Sequence, residues 1–140
     1  MRLRAVIGRL SRRLRSTSAG TAAGLTPTRI SILLTVVREG PVRISDLAAG
    51  EGINPTMLSR VISDLAQAGL LKRVGDERDR RAAWVEATRS GRGLAERMRR
   101  ERTDALILAL ESLPDADRRQ IDLALPGLEA LAEQLKGRRS

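Results

Sequence analysis

Apolar residues in this 140-residue chain recur at helical spacing over most of its length, and short β-branched runs interrupt that pattern once. The interruption belongs to the stretch around which the rest is organised, residues 43–81. Residues 44–49 read as a short helix, Gly52-Ile53 as a tight turn and residues 54–67 as a second helix, which Gly69 stops. Asn54 suits the cap of that second helix and Pro55 its first position, where no backbone donor is needed. Leu58, Val61, Ile62 and Leu65 form one inward stripe, and Thr56, Arg60, Ser63 and Gln67 occupy the opposite face. Residues 70–74 and 82–87 then read as two strands of a hairpin. Their polar link, Gly75-Asp76-Glu77-Arg78-Asp79-Arg80-Arg81, carries three arginines.

Upstream, Leu3, Ile7, Leu10 and Leu14 make a seam with Val6 beside it, among six arginines and no acidic residue. Residues 16–24 are small and polar and read as a loop or a frayed helix end. Thr26 and Pro27 open a scaffold helix whose buried face is Ile30, Leu33, Leu34 and Val37, and Gly40-Pro41 ends it. Val42 and Ile44 are candidates for a small third strand. The following helix start is weakly signalled: Arg43 and Ile44 are poor caps, and Ser45 is a better one a step later.

Downstream, Thr88 with Gly91, or Ser90 alone, starts a long helix to about residue 113. Its apolar positions are Leu94, Met98, Ala105 and Leu108 or Leu110. Its first turns carry Arg89, Arg92, Arg97, Arg99, Arg100 and Arg102, and Glu96–Arg100 is a favourable i,i+4 pair. Pro114-Asp115 begins the last segment, with Ile121, Leu125, Leu128, Ala132 and Leu135 in one phase. Pro126-Gly127 leaves that phase unshifted, which predicts a kink rather than a boundary. Seams at both ends of the chain fit a homodimer built on Leu3, Ile7, Leu10, Leu14, Leu125, Leu128 and Leu135. Pairing of the same helices within one chain is the alternative.

Composition narrows the chemistry. Twenty-six Lys and Arg against 17 Asp and Glu leave a formal charge of +9, which favours a polyanionic partner. Cys and His are absent, so the sequence offers no zinc finger, thiol sensor or histidine base, and no metal or cofactor is expected. Trp84 is the sole aromatic residue, too few for a base-stacking platform. No run is apolar enough to span a bilayer and no secretory pattern follows the basic start, so the cytoplasm is the expected location and no membrane partner is expected. Asp76, Glu77 and Asp79 sit among arginines on a turn, which would hold them ionised. No phosphate-cradling loop or nucleophile elbow accompanies them, and an enzyme is not expected.

Helix, turn, helix and basic hairpin in this order make a winged helix-turn-helix. The fold class expected is mostly α with a small β hairpin, flanked by N- and C-terminal dimerisation helices. Three segments follow: residues 1–24 for dimerisation, 25–88 for DNA binding and 89–140 for dimerisation. Helix 54–68 would lie in the major groove of double-stranded DNA through Asn54, Pro55, Thr56, Ser59, Arg60 and Ser63. The wing, residues 75–82, would lie at the minor groove through Arg78, Asp79, Arg80 and Arg81. The competing reading is a winged-helix module for architectural, low-specificity DNA binding or for protein contacts.

Over nearly its whole length the chain resembles the MarR family of bacterial winged-helix regulators. The likeness rests on Leu25-Thr26-Pro27, residues 44–49, Leu58-Ser59-Arg60-Val61-Ile62, Leu65 and Gly69-Leu70. Asp79-Arg80-Arg81 is the most specific match, followed by Val85, Thr88 and Gly91. The resemblance implies a homodimer on a pseudo-palindromic operator, usually a repressor. It places Arg81 in the minor groove, with Asp79 orienting it and Arg80 near the backbone. It also implies a possible small-molecule effector, whose identity the sequence leaves unknown. Arg43 departs from the family's usual Ser or Thr, and Arg29 from its frequent Gln. Without Tyr, Phe or His, either an effector pocket is aliphatic or there is no small-molecule response.

Overall fold

Local signals and one junction explain most of the architecture. The computed structural model describes residues 1–75, 78–79 and 82–136. Its elements in order are α1 (Arg2–Arg15), α2 (Ser18–Ala22), α3 (Pro27–Glu39), β1 (Val42–Arg43), α4 (Ile44–Glu51), α5 (Pro55–Gln67), β2 (Leu71–Gly75), β3 (Ala83–Ala87), α6 (Arg89–Glu111) and α7 (Asp115–Lys136). Two compact units divide the chain, residues 1–103 and residues 104–140.

In the first unit, α3 starts where the Thr26 hydroxyl accepts from the Arg29 N–H (3.4 Å), with Pro27 at the first helical position. α5 starts where the Asn54 side chain accepts from the Thr56 N–H at 2.8 Å. Gly52 and Gly69 take positive φ, 65° and 74°, and turn the chain out of α4 and α5. The α4 start falls at Ile44, as the sequence reading has it, and not at the later alternative cap, Ser45. Arg43 occupies the cap position without a side-chain cap bond, and Ser45 is inside the helix. The sheet decides this boundary, because Arg43 is still paired with Trp84 of β3. The third strand therefore holds Val42 and Arg43, and Ile44 already belongs to α4. Asp46 in the first turn compensates the uncapped N–H groups electrostatically.

The sheet is antiparallel throughout, in the order β1-β3-β2. Val42 faces Val85 across one pairing, and Leu71 faces Ala87 across the other. Ile32, Leu33 and Val36 of α3 form the core with Leu58, Ile62 and Leu65 of α5, Leu71 and Val85 of the sheet, and Leu94 and Met98 of α6. Burying each such side chain contributes about 1.5–3 kcal/mol before conformational entropy is counted.

Residues 18–22 are helical, where the sequence suggested a loop or a frayed end. The Thr17 hydroxyl accepts from the Gly20 N–H (3.1 Å), and the Glu101 carboxylate of α6 accepts from the Ser18 and Ala19 N–H groups (2.6 and 3.0 Å). Thr17 is a local cap signal, and Glu101 adds a second cap from more than eighty residues away that no local pattern reports.

α6 opens at Thr88. Its hydroxyl accepts from the Gly91 N–H (3.0 Å) and donates to the Gly69 carbonyl (2.5 Å), while its N–H donates to the Leu70 carbonyl (3.1 Å). Leu94 and Met98 are buried as the periodicity predicts. Ala105 and Leu108, expected on the same apolar face, are exposed. They lie beyond residue 103, in the second unit. There, α7 runs unbroken through Pro126, in agreement with the expectation that this proline marks no boundary. Ile121, Leu125, Leu128, Leu131 and Leu135 are all more than a third exposed. Among the described residues no helix is long and apolar enough to cross a membrane.

Two outcomes follow from this packing. A side-chain carbon at Gly91 would collide with the Leu70 carbonyl. Gly91→Ala, which at an open helical site would stabilise, should instead lower stability by about 1–3 kcal/mol, read as a lower urea midpoint at unchanged slope. The second concerns Glu96, which accepts two bonds from Arg99 (2.8 and 2.7 Å) and one from Arg100 (3.1 Å). Those bonds, Arg99 foremost, lower its carboxyl pKa from 4.5 to about 2. A depressed folded-state pKa contributes stability above the unfolded value and loses it as pH falls through the folded one. Wild type and Glu96→Gln should therefore differ in urea midpoint at neutral pH and converge as pH falls from 4.5 to about 2. A constant difference across that window would contradict the assignment.

Candidate nucleic-acid interface

The core fixes which way α5 faces. Leu58, Ile62 and Leu65 are fully buried and Val61 is nearly so, which turns Thr56, Arg60 and Ser63 into solvent. Thr56, Ser59, Arg60, Ser63 and Asp64 together line one shallow depression of about 360 Å³. Four of the six helix residues expected from the sequence are thus brought together. The other two have local duties: the Asn54 side chain caps the helix and Pro55 starts it, although both remain exposed.

Three charged residues near this depression were not singled out as site residues from the sequence. Arg73 of β2 donates to the hydroxyls of Ser59 (3.4 Å) and Ser63 (3.3 Å). Strand alternation is the signal that would have found it, because Leu71 and Arg73 share the β2 face whose cross-strand partners, Ala87 and Val85, are buried. Asp64 and Arg29 pair at 2.5 Å between α5 and α3. No sequence periodicity reports a contact between those two helices. On the alternate β2 position, Lys72 pairs with Glu86 at 2.8 Å, directly across the strands.

Of the wing, Arg78 and Asp79 are described and exposed, and the Asp79 carbonyl accepts from the Ala82 N–H at 3.0 Å. Arg80 and Arg81 lie outside the described residues, as do Asp76 and Glu77. Arg43 stacks over the Trp84 ring, 5.5 Å from its centroid. Arg92, one of the arginines just after the wing, donates to the Ala87 carbonyl at 2.7 Å.

The expected dimer residues are uneven in exposure. Ile7 and Leu10 are about half exposed, Leu3 and Leu14 are half-buried, and α1 has no fully buried residue. Leu125, Leu128 and Leu135 are 44%, 39% and 56% exposed, a continuous apolar strip on α7. A cavity of about 410 Å³ lies among α1, α3 and α6, lined in part by Ser11, Arg15, Ser31 and Arg102. The Arg102 Nε is buried there and meets no acceptor among the described residues.

Chemically, the α5 face offers hydroxyl donors and acceptors with a guanidinium. No group of three or more metal-binding side chains occurs among the described residues. The whole sequence lacks Cys and His, so no imidazole or thiolate is there to activate the α5 hydroxyls as nucleophiles. Hydroxyl and guanidinium groups at this spacing suit base edges and phosphates.

Comparisons with known proteins agree. The profile of the MarR family matches residues 25–83. An uncharacterised HTH-type transcriptional regulator of Mycobacterium bovis is 31% identical over 126 residues, covering 90% of this chain and 87% of that protein. Another, from Mycobacterium leprae, is 33% identical over 113 residues, 81% of this chain and 77% of its own length. Among solved structures, a putative transcriptional regulator from Pseudomonas aeruginosa superposes with a TM-score of 0.78 at 28% identity, over 94% of this chain and 92% of the other. Apo MarR from E. coli, at 16% identity, superposes with a TM-score of 0.73 over 90% and 92% of the two chains. With the helix pair, the three-stranded sheet and these relatives in agreement, the chain belongs to the MarR family of winged helix-turn-helix, DNA-binding transcriptional regulators.

Proposed function

We propose that this chain is a homodimeric repressor that reads a pseudo-palindromic operator, with α5 in the major groove and the wing, residues 75–82, in the minor groove. The observation that carries the reading is the two-sidedness of α5. One side is sealed in the core, and the other gathers Thr56, Ser59, Arg60 and Ser63 in one depression. Ser59 and Ser63 meet Arg73 there, and Thr56 and Arg60 stay exposed beside them. Major-groove edges and flanking phosphates match them in chemistry and spacing. Asn54 and Pro55 fix the end of the helix that would enter first. Segments 1–24 and 89–140 supply the dimer contacts in this reading. The apolar strip on α7 supports it, since Leu125, Leu128 and Leu135 each keep more than a third of their surface exposed.

In the wing of this reading, Asp79 would orient Arg81 toward the groove and Arg80 would be available to the backbone. A carboxylate beside a guanidinium limits its rotamers, and a narrow minor groove concentrates negative potential. The cavity at Arg102 favours a second, regulatory reading: a buried Nε without an acceptor among the described residues suits a small anionic effector.

Selecting preferred duplexes from a random pool at stated salt tests the main reading. One palindrome should emerge, bound roughly a thousandfold or more tighter than mixed sequence. Recovery of no consensus would favour architectural, low-specificity binding. Arg81→Ala should weaken binding to the selected duplex by about 1–3 kcal/mol, and mixed-sequence duplex much less. The remote Arg2→Ala should cost both targets the same small amount. Asp79→Ala adds positive charge yet should weaken the selected duplex; tighter binding would contradict the wing assignment. Leu128→Glu should halve the mass seen by sedimentation and weaken DNA binding together. Full affinity in a proven monomer would place the dimer surface elsewhere.

A further inference from the structure

Arg60 is the one long cation on α5, and a carboxylate lies four residues after it, at Asp64. On a helix these two are neighbours that can pair. A pair of that kind would occupy the guanidinium that DNA recognition requires. In this protein Asp64 is bonded elsewhere: its carboxylate accepts from Arg29 of α3 at 2.5 Å. Arg60 makes no ion pair among the described residues. We infer that Arg29 is a positioning residue for DNA recognition: by holding Asp64 toward α3 it keeps Arg60 available to the duplex.

The physical balance favours the Arg29 partner. A basic residue preceding an acidic one by four is the weaker order for a helical pair, worth a few tenths of a kcal/mol. Asp64 also lies in the last turn of α5, where the helix dipole disfavours a carboxylate unless a cation meets it. Arg29 supplies that cation from the first turn of α3, and α3 and α5 pack directly together. The contact lies at the rim of the depression that Asp64 shares with Thr56, Ser59, Arg60 and Ser63. Side-chain exposures of 33% for Arg29 and 46% for Asp64 make the pair a minor contributor to folding stability. Its consequence is therefore sought in recognition rather than in stability. The inference rests on the reading that α5 faces DNA.

A double-mutant cycle tests it, using the full chain, the duplex recovered by selection and a mixed-sequence duplex at matched salt. Arg29→Gln should weaken binding to the selected duplex by up to about twofold, the scale of the few tenths of a kcal/mol that an Arg60–Asp64 pair would capture. In an Asp64→Asn background the same Arg29→Gln change should have no measurable effect, because no carboxylate remains to capture Arg60. Arg29→Lys should retain most of the affinity. Thermal unfolding of each variant checks that the fold persists. If Arg29 instead touched phosphate, or acted only through net charge, its loss would weaken binding equally in both backgrounds, and the inference would fail. If the wild type does not discriminate between the two duplexes, or Arg60→Gln leaves its preferences unchanged, the failure lies with the orientation of α5 itself.

Discussion

The Leu70 carbonyl is the point at which α5 is fastened to the rest of the first unit. Leu70 ends α5 by donating its N–H to the Leu65 carbonyl (2.9 Å), and its own carbonyl accepts from Thr88 (3.1 Å) at the mouth of α6. Gly91 leaves room for that carbonyl against the α6 backbone. Gly69, in the left-handed conformation, makes the turn possible and hands its carbonyl to the Thr88 hydroxyl. The end of one helix, the start of a strand and the start of another helix thus meet at four residues. The rotation of α5 about its axis, and so which side chains it presents outward, is set from this junction and from the apolar stripe beneath it.

Much of this was legible in the chain. Helical spacing located α3, α5, α6 and α7, and the Thr-Pro and Asn-Pro pairs located two helix starts, because these signals act within one or two turns. The turns at Gly52 and Gly69 were equally local. Where the sequence signal was weak, a distant interaction contributes. Glu101 of α6 supplements the Thr17 cap of residues 18–22. The strand pairing of Arg43, rather than a capping side chain, sets the start of α4. The candidate interface divides in the same way. Thr56, Arg60 and Ser63 follow from one helical period, whereas Arg73 and Arg29 reach α5 from other elements, and only the folded arrangement brings them there.

Charge is distributed with more discrimination than the total of +9 suggests. Several cations are engaged locally: Arg99 and Arg100 by Glu96, Lys72 by Glu86 and Arg29 by Asp64. These pairs are exposed and contribute little to stability individually. They do narrow the set of cations that a polyanion meets unopposed. Long-range attraction scales with the whole surplus, while discrimination among sequences depends on the few guanidinium groups left unspent.

Trp84 gives the molecule an optical property that follows from its composition and its sheet register together. It is the sole aromatic residue in the sequence, so all the intrinsic near-ultraviolet emission of the protein arises at one place on β3. The ring is partly exposed, lies beneath the Arg43 guanidinium and sits opposite Val74 across the strand pair. Its emission maximum and quenching by iodide or acrylamide therefore report on the base of the wing alone, without background from the core or the terminal helices. A chain with a single indole at the root of its hairpin needs no attached dye for events there to be followed in real time.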